Sequence, residues 1–362
     1  MKQHSVLRFL FPVVLLILGI LVLLPIFAPG MIVTDDGDWM IIRLSAFYQS
    51  LREGQFPVRF LGRLNNGYGY PVANFLYPGY LYLGSILHFF GLSFSVAVQT
   101  IIVGSVIGTS LLVYAWLSAA FAPALSFLGA AAYLFSPYLI YDIYRRGSVG
   151  EVFAGVWIAL ALVAIDRKKR FLLAPAIFLT VLSHNTLGLL GVLFLMGYCL
   201  VRRRITNLID IAFGIAMASF FWIPAIFEQR FVKFNENIIS SPKAYFDISA
   251  FIVASYAGMA VPFVILIERA KKIPLYPILY FSILFLFAIS VATKVSGPIW
   301  NIALLGSIIQ FPFRILFVTW FVVPYLLAAT LNGSPKRRAI GTVCAVLLPM
   351  VLFAGQYLLK TN

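Results

Sequence analysis

Long apolar runs alternate along this chain with short, mostly basic breaks. The runs cover 6–28, 72–92, 95–118, 121–143, 149–165, 171–201, 207–227, 248–267, 274–293, 312–331 and 339–358. A helix rising 1.5 Å per residue needs roughly 20 such residues to cross the hydrocarbon layer. Most of these runs meet that length, so the pattern predicts membrane-crossing helices. The run 171–201 is too long for one crossing and is interrupted by "SHNT" at 183–186. It reads as a helical hairpin with His184 and Asn185 at its tip. Its arms are short, so either the bilayer thins there or the tip lies below the surface.

The polar breaks set the direction of each crossing. "DRKKR" (166–170), "RRR" (202–204), "ERAKK" (268–272) and "SPKRR" (334–338) are basic, and short basic loops stay in the cytoplasm. Two cytoplasmic loops must be separated by an even number of crossings. With Lys2 and Arg8 inside, an even number must also precede "DRKKR", yet five runs do. The weakest is 72–92, "VANFLYPGYLYLGSILHFFGL", broken by Pro78, Gly79 and Gly84 and crowded with aromatic rings. Such rings suit the water–lipid interface, so this run is predicted not to cross. The first run, 6–28, exceeds a signal-peptide core and precedes no A-x-A site, which predicts a retained span. The expected fold is an all-α, polytopic membrane helix bundle of about eleven crossings, one domain over 1–362. Its N-terminus faces the cytoplasm, its C-terminus the exterior, and the host is the plasma membrane.

Residues 29–94 then form one large outer segment that holds "TDDGDW" (34–39). In 39–53 the apolar positions 40, 41, 44, 47, 48 and 51 make a helical stripe. Asp38 is the expected N-cap and Gly54 the expected C-terminal stop. Arg43, Ser45, Gln49 and Arg52 lie off the stripe, so this helix should rest on the membrane surface. "RRGSVGE" (145–151), His184-Asn185, the loop 228–247 and the segment leading into "QFPFR" (310–314) fall on the same outer face. Asp142, Arg145, Arg146, Glu151, His184, Glu228 and Arg314 sit at the apolar boundary, where a charge is costly and has a partner or a task. Span centres are almost free of ionisable groups, which argues against proton- or ion-coupled transport.

Composition agrees with a membrane protein: 62% hydrophobic, 11% charged and a mean hydropathy of +0.98. The net charge of +15 is clustered in the short loops, which reads as orientation in a membrane rather than nucleic-acid binding. Cys199 and Cys344 both lie in apolar runs and no Cys-x-x-Cys occurs, so neither a disulfide framework nor a zinc ribbon is indicated. No nucleotide-binding glycine motif is present.

One span, an acidic pair at its outer end and an interfacial helix follow each other in "TDDGDWMIIR". "EGQFPVRFLGRLNNGYGYPVANFLYP" (53–78), "SPYLIYDIYRRGSVGE" (136–151), "LSHN" (182–185), "FWIPAIFE" (221–228) and "IIQFPFR" (308–314) come later. In this order the chain resembles the polytopic C-type (GT-C fold) glycosyltransferases that use polyprenyl-phosphate-linked sugars, in particular bacterial and archaeal-type members of loosely defined function. The resemblance spans nearly the whole chain. It rests on the succession of motifs, each weak alone.

The resemblance implies transfer of a sugar from a polyprenyl-phosphate donor to an acceptor on the extracytoplasmic side. Asp35 and Asp36 would be the catalytic carboxylates, one of them removing the acceptor hydroxyl's proton. Arg145, Arg146 and Arg314 would meet the leaving phosphate, with Glu151, His184, Asn185 and Gln310 completing the substrate site. Asp35 and Asp36 are also groups that hold divalent cations, but they are too close in sequence to make a full site, which leaves metal open. Plainer roles compete. Arg145 and Arg146 could anchor a span end, His184 could hydrogen-bond at the hairpin tip, and Glu151 could cap its helix or pair with Arg146. Two other classes stand beside the glycosyltransferase: a lipid-linked glycan polymerase, ligase or flippase, and a non-catalytic scaffold of the same fold.

The topology is directly measurable. With Cys199 and Cys344 replaced by Ser, a cysteine at position 168 should resist an impermeant thiol reagent in intact cells, and one at 185 should react. Labelling at 168 from outside would overturn the parity assignment.

Overall fold

Prolines, glycines and capped ends cut the apolar runs into helices, and the computed structural model describes residues 2–28, 32–233, 242–268 and 275–359. In order these are α1 (Lys2–Val22), α2 (Gly37–Arg52), α3 (Val72–Phe75), α4 (Gly79–Phe89), α5 (Phe94–Leu117), α6 (Pro123–Leu134) and α7 (Pro137–Tyr141). A π-helical turn, Asp142–Arg146, leads to α8 (Val149–Asp166), α9 (Leu173–Ser183), α10 (Asn185–Val201), α11 (Asn207–Met217) and α12 (Ser219–Glu228). Then come α13 (Phe246–Ala254), α14 (Ala260–Glu268), α15 (Leu275–Val291), α16 (Ala303–Ile309), a 3₁₀ stretch Pro312–Val318, α17 (Thr319–Leu331) and α18 (Lys336–Leu358). Among the described residues there is no strand, only an isolated antiparallel bridge between Leu61 and Tyr70.

Five stretches are long and apolar enough to cross a membrane: α5, Pro123–Arg146, α8, Pro312–Leu331 and α18. Two bent pairs raise the count to seven if each is one span, Asn207–Met217 with Ser219–Phe231 at 62° and Pro242–Ala254 with Ala257–Glu268 at 53°. Phe9–Val22, Arg170–Ser183, Asn185–Val201 and Tyr276–Val291 are apolar but shorter. The described helices thus supply five to seven full-length candidates rather than the eleven expected. In the run 171–201 the shortfall is one of length. The run 171–201 does fold as two helices meeting at His184, but the 11 residues of α9 reach only about 16 Å and the 17 of α10 about 25 Å.

The core is an aromatic and small-residue bundle. α5 and α8 pack closely at Gly155, whose missing side chain lets Thr109 and Trp320 approach. Trp116, Tyr198, Phe281 and Tyr325 form a ring cluster at one end of it. The outward faces of α1, α10 and α18 carry exposed Phe, Leu, Ile and Val, as helices facing lipid must.

The segment before α5 agrees with the sequence reading at one place and departs from it at another. The run 72–92 forms two short helices separated at Pro78, one of the expected interruptions. α2 begins at Gly37, so Asp38 lies inside its first turn and is not the cap. Asp36 holds the N-cap position without using its side chain, and the Thr34 hydroxyl accepts from Gly37 N–H at 3.0 Å instead. With that donor satisfied the helix starts before the apolar stripe does, and Asp38 acts on it only through the helix dipole. At the other end Gly54 is left-handed, with Gly54 N–H donating to Leu51 O and Gln55 N–H to Ser50 O. This paired closure is the expected C-terminal stop.

Candidate functional site

The stretch "YDIYRRGSVGE" forms its own scaffold. The π-helical turn Asp142–Arg146 ends at Gly147, whose φ of 69° is left-handed and whose absent Cβ would overlap the Thr34 hydroxyl. Three residues on, a Cβ at Gly150 would overlap the Tyr77 ring and approach Ser183 O to 2.6 Å. Both glycines are therefore needed for the acidic segment and the hairpin tip to close on the start of α8.

That closure surrounds a fully buried carboxylate. Glu151 Oε1 accepts from Arg146 Nη1 and from Arg314 Nε at 2.8 Å, while Tyr138 OH donates to Oε2 at 2.6 Å. Arg146 Nη1 also donates to Asp142 Oδ1 at 2.7 Å. Arg314 Nη1 donates to Ile309 O at 2.9 Å and to Gln310 Oε1 at 3.0 Å. Phe311 and Phe313 stack 5.1 Å apart and nearly parallel. Arg146 lies over both rings and Arg314 over Phe311. Two buried carboxylates and two buried guanidiniums thus meet in one network. Of its carboxylate oxygens, Asp142 Oδ2 has no hydrogen-bond partner among the described residues.

His184 adjoins the network without joining it tightly. Its Nδ1 accepts from Leu187 N–H at 3.2 Å, capping α10, and its Nε2 stands 3.7 Å from Glu151 Oε1. Since Nδ1 is an acceptor, the neutral ring carries its proton on Nε2, toward the carboxylate. The Tyr77 ring packs 4.6 Å from it. Burial, and after it the Glu151 charge, push the Tyr77 phenol above its ordinary range, so it stays protonated. Asn185 turns away from Glu151 and donates to Phe75 O at 2.8 Å, tying the hairpin tip to the outer segment.

The acidic pair is held by its backbone. Asp35 N–H donates to Arg145 O at 2.9 Å and Asp36 N–H to Arg146 O at 2.8 Å. The Asp35 side chain makes an exposed ion pair with Arg145 at 3.3 Å. The half-buried Asp36 carboxylate has neither a hydrogen bond nor an ion pair among the described residues. Asp36, Arg43 and Glu151 all act electrostatically on Tyr77, so the open carboxylate and the closed network share one neighbourhood. Among the described residues no group of three or more His, Cys, Asp or Glu is placed to hold a metal ion.

The expected residues thus separate into two layers. Asp35, Asp36 and Arg145 form an accessible rim. Arg146, Glu151, His184 and Arg314 form a buried floor, the exposed Gln310 accepts from Arg314 at its edge, and Asn185 stands beside it. The pairing of Glu151 with Arg146, weighed from sequence as the plainer role, is present. Sequence reasoning missed Tyr138, Tyr77, Phe311 and Phe313 as members of the floor. The aromatic residues of "QFPFR" flanking an arginine were the one available signal, whereas Tyr138 and Tyr77 look like any other core ring.

Taking one partner from a buried ion pair leaves its partners charged and desolvated. Glu151→Ala should therefore lower stability by about 3–5 kcal/mol, read by denaturation in detergent. Arg145→Ala cuts only an exposed pair and should cost about 0–1 kcal/mol. Equal losses from the two would show that the floor does not carry the packing of this face.

No family model matches this chain, and no curated protein matches it.

Proposed function

We propose that this protein is a multi-pass membrane glycosyltransferase that moves a sugar from a polyprenyl-phosphate donor to an acceptor outside the cytoplasm. The observation carrying this reading is the Asp36 carboxylate. It is unengaged, fixed through its own backbone N–H to Arg146 O, and beside a buried arginine cluster at the end of a membrane helix bundle. A base for a hydroxyl nucleophile needs these properties: a free carboxylate, a fixed position and access from water.

In the reaction, an acceptor hydroxyl gives its proton to Asp36 as its oxygen attacks the anomeric carbon, and the bond from that carbon to the lipid phosphate breaks. The phosphate leaves as an anion. Arg145, exposed and 3.3 Å from Asp35, is the cation free to receive it. Arg146 and Arg314 already serve Glu151 and Asp142, so they would hold the rim in place rather than contact phosphate. On this reading the chain crosses the membrane about eleven times, with the short helices α9 and α10 bringing His184 below the outer surface.

The same saturation of Arg146 and Arg314 favours a second reading, a non-catalytic scaffold of this fold, because two of the three arginines expected to meet phosphate are occupied. Activity with a panel of polyprenyl-phosphate sugars separates the two. Asp36→Asn keeps size and hydrogen bonding but loses basicity, and turnover should fall about 10²–10⁴-fold. Asp38→Asn, one turn position away, should turn over at close to the wild-type rate. Wild type inert with every donor would favour the scaffold, and an Asp36→Asn variant as fast as wild type would remove Asp36 as the base.

A further inference from the structure

The opposite end of α8 carries a second polar network that the proposed chemistry does not use. Asp166, its last residue, is nearly buried and accepts from Trp116 Nε1 at 3.0 Å, Tyr198 OH at 2.7 Å and Arg202 Nε at 2.7 Å. These bonds bring the ends of α5, α8 and α10 together, and with them the basic loops 166–170 and 202–204. Arg170 is bound bidentately by Asp210 at 2.8 and 3.0 Å, and Arg167 donates to Ala115 O. Every carboxylate in this corner is therefore already committed.

Four cations remain. Lys168, Lys169 and Arg203 are exposed and Arg204 is half-buried, and among the described residues none has an ion pair or a side-chain hydrogen bond. Arg203 rests only on the Tyr276 ring, at 5.9 Å. Their backbones are held firmly. Lys168 (φ 57°) and Arg203 (φ 53°) are left-handed. Lys169 N–H closes on Ala164 O and Arg204 N–H on Cys199 O, the paired helix ending also seen at Gly54. Lysine and arginine thus stand in a backbone conformation that glycine adopts most readily. The two helix ends contribute roughly half a negative charge each, far short of compensating four cations.

Apolar side chains border the charges. Phe171 is 72% exposed directly after Arg170, and Ile205 is 67% exposed directly after Arg204. Cations beside exposed apolar groups, at the ends of apolar helices, match a molecule with an anionic head and an apolar body. We propose that this corner is a binding site for an anionic phospholipid, its phosphodiester held by Lys168, Lys169, Arg203 and Arg204 and its glycerol and upper acyl region against Phe171 and Ile205. A free anion would leave the apolar border in water. A zwitterionic lipid brings a cation that the cluster repels.

The test uses the full chain in nanodiscs of mixed phosphatidylcholine and phosphatidylglycerol, with retained lipid counted by native mass spectrometry after release. Wild type should retain phosphatidylglycerol over phosphatidylcholine by roughly tenfold or more. The combined variant Lys168→Asn, Lys169→Gln, Arg203→Asn, Arg204→Gln should lose that preference, Asn being chosen because it tolerates the left-handed backbone. Lys336→Gln with Arg337→Gln, in the first turn of α18, should keep it. Should the combined variant not fold, wild type alone still decides, since raised salt must collapse a charge-based preference. Equal retention of the two lipids, a preference that survives the four changes, loss in the α18 control, or insensitivity to salt would overturn the site. Displacement of the retained lipid by inorganic phosphate would show a free-anion site instead.

Discussion

The Glu151 carboxylate is fully buried where α8 begins, and it receives hydrogen bonds from Arg146, Arg314 and Tyr138. Those donors come from the continuous stretch of α7 and its π-helical turn and from the segment after α16, so one carboxylate ties the start of α8 to two other parts of the bundle. A charge so deep is tolerable only with its partners in place. The aromatic rings of Phe311 and Phe313 supply the other faces of the two guanidiniums. Because the network is nearly saturated with hydrogen bonds, its main physical consequence is rigidity.

That rigidity is passed to the accessible rim by the backbone. The carbonyls of Arg145 and Arg146 accept from the N–H groups of Asp35 and Asp36, so the acidic pair takes its position from the turn that carries the buried arginine. Gly147 permits the close approach, and the Thr34 hydroxyl starts α2. A carboxylate held this way keeps its side chain free. The arrangement separates support from reactivity, with Arg146 and Arg314 spent on support and Asp36 and Arg145 left accessible.

α8 then links two unlike ends. At Glu151 a carboxylate is met by two guanidiniums in the interior, whereas at Asp166 a carboxylate is consumed by Trp116, Tyr198 and Arg202, leaving cations uncovered on adjoining loops. The same helix is thus anchored by a buried acid at each end.

How much of this could be read beforehand follows from the range of the interactions. The apolar runs, the break at His184, the weakness of 72–92 and the left-handed stop at Gly54 depend on residues a few positions apart, and these were legible. The start of α2 was misplaced because the Thr34 hydroxyl, not an acidic side chain, satisfies its first donor. The boundary charges Asp142, Glu151 and Arg314 were visible as a group needing partners, but the partners themselves were not. Arg145 and Arg146 are adjacent and chemically identical, yet one is open to water and the other buried. Glu151 reaches Arg146 across five residues and Arg314 across 163. Local spacing therefore determined the helical architecture and its apolar stretches, while the candidate residues came from the resemblance carried by the order of the motifs. The division into rim and floor was decided only by tertiary structure, because burial and ion pairing depend on which distant helices pack against each side of one turn.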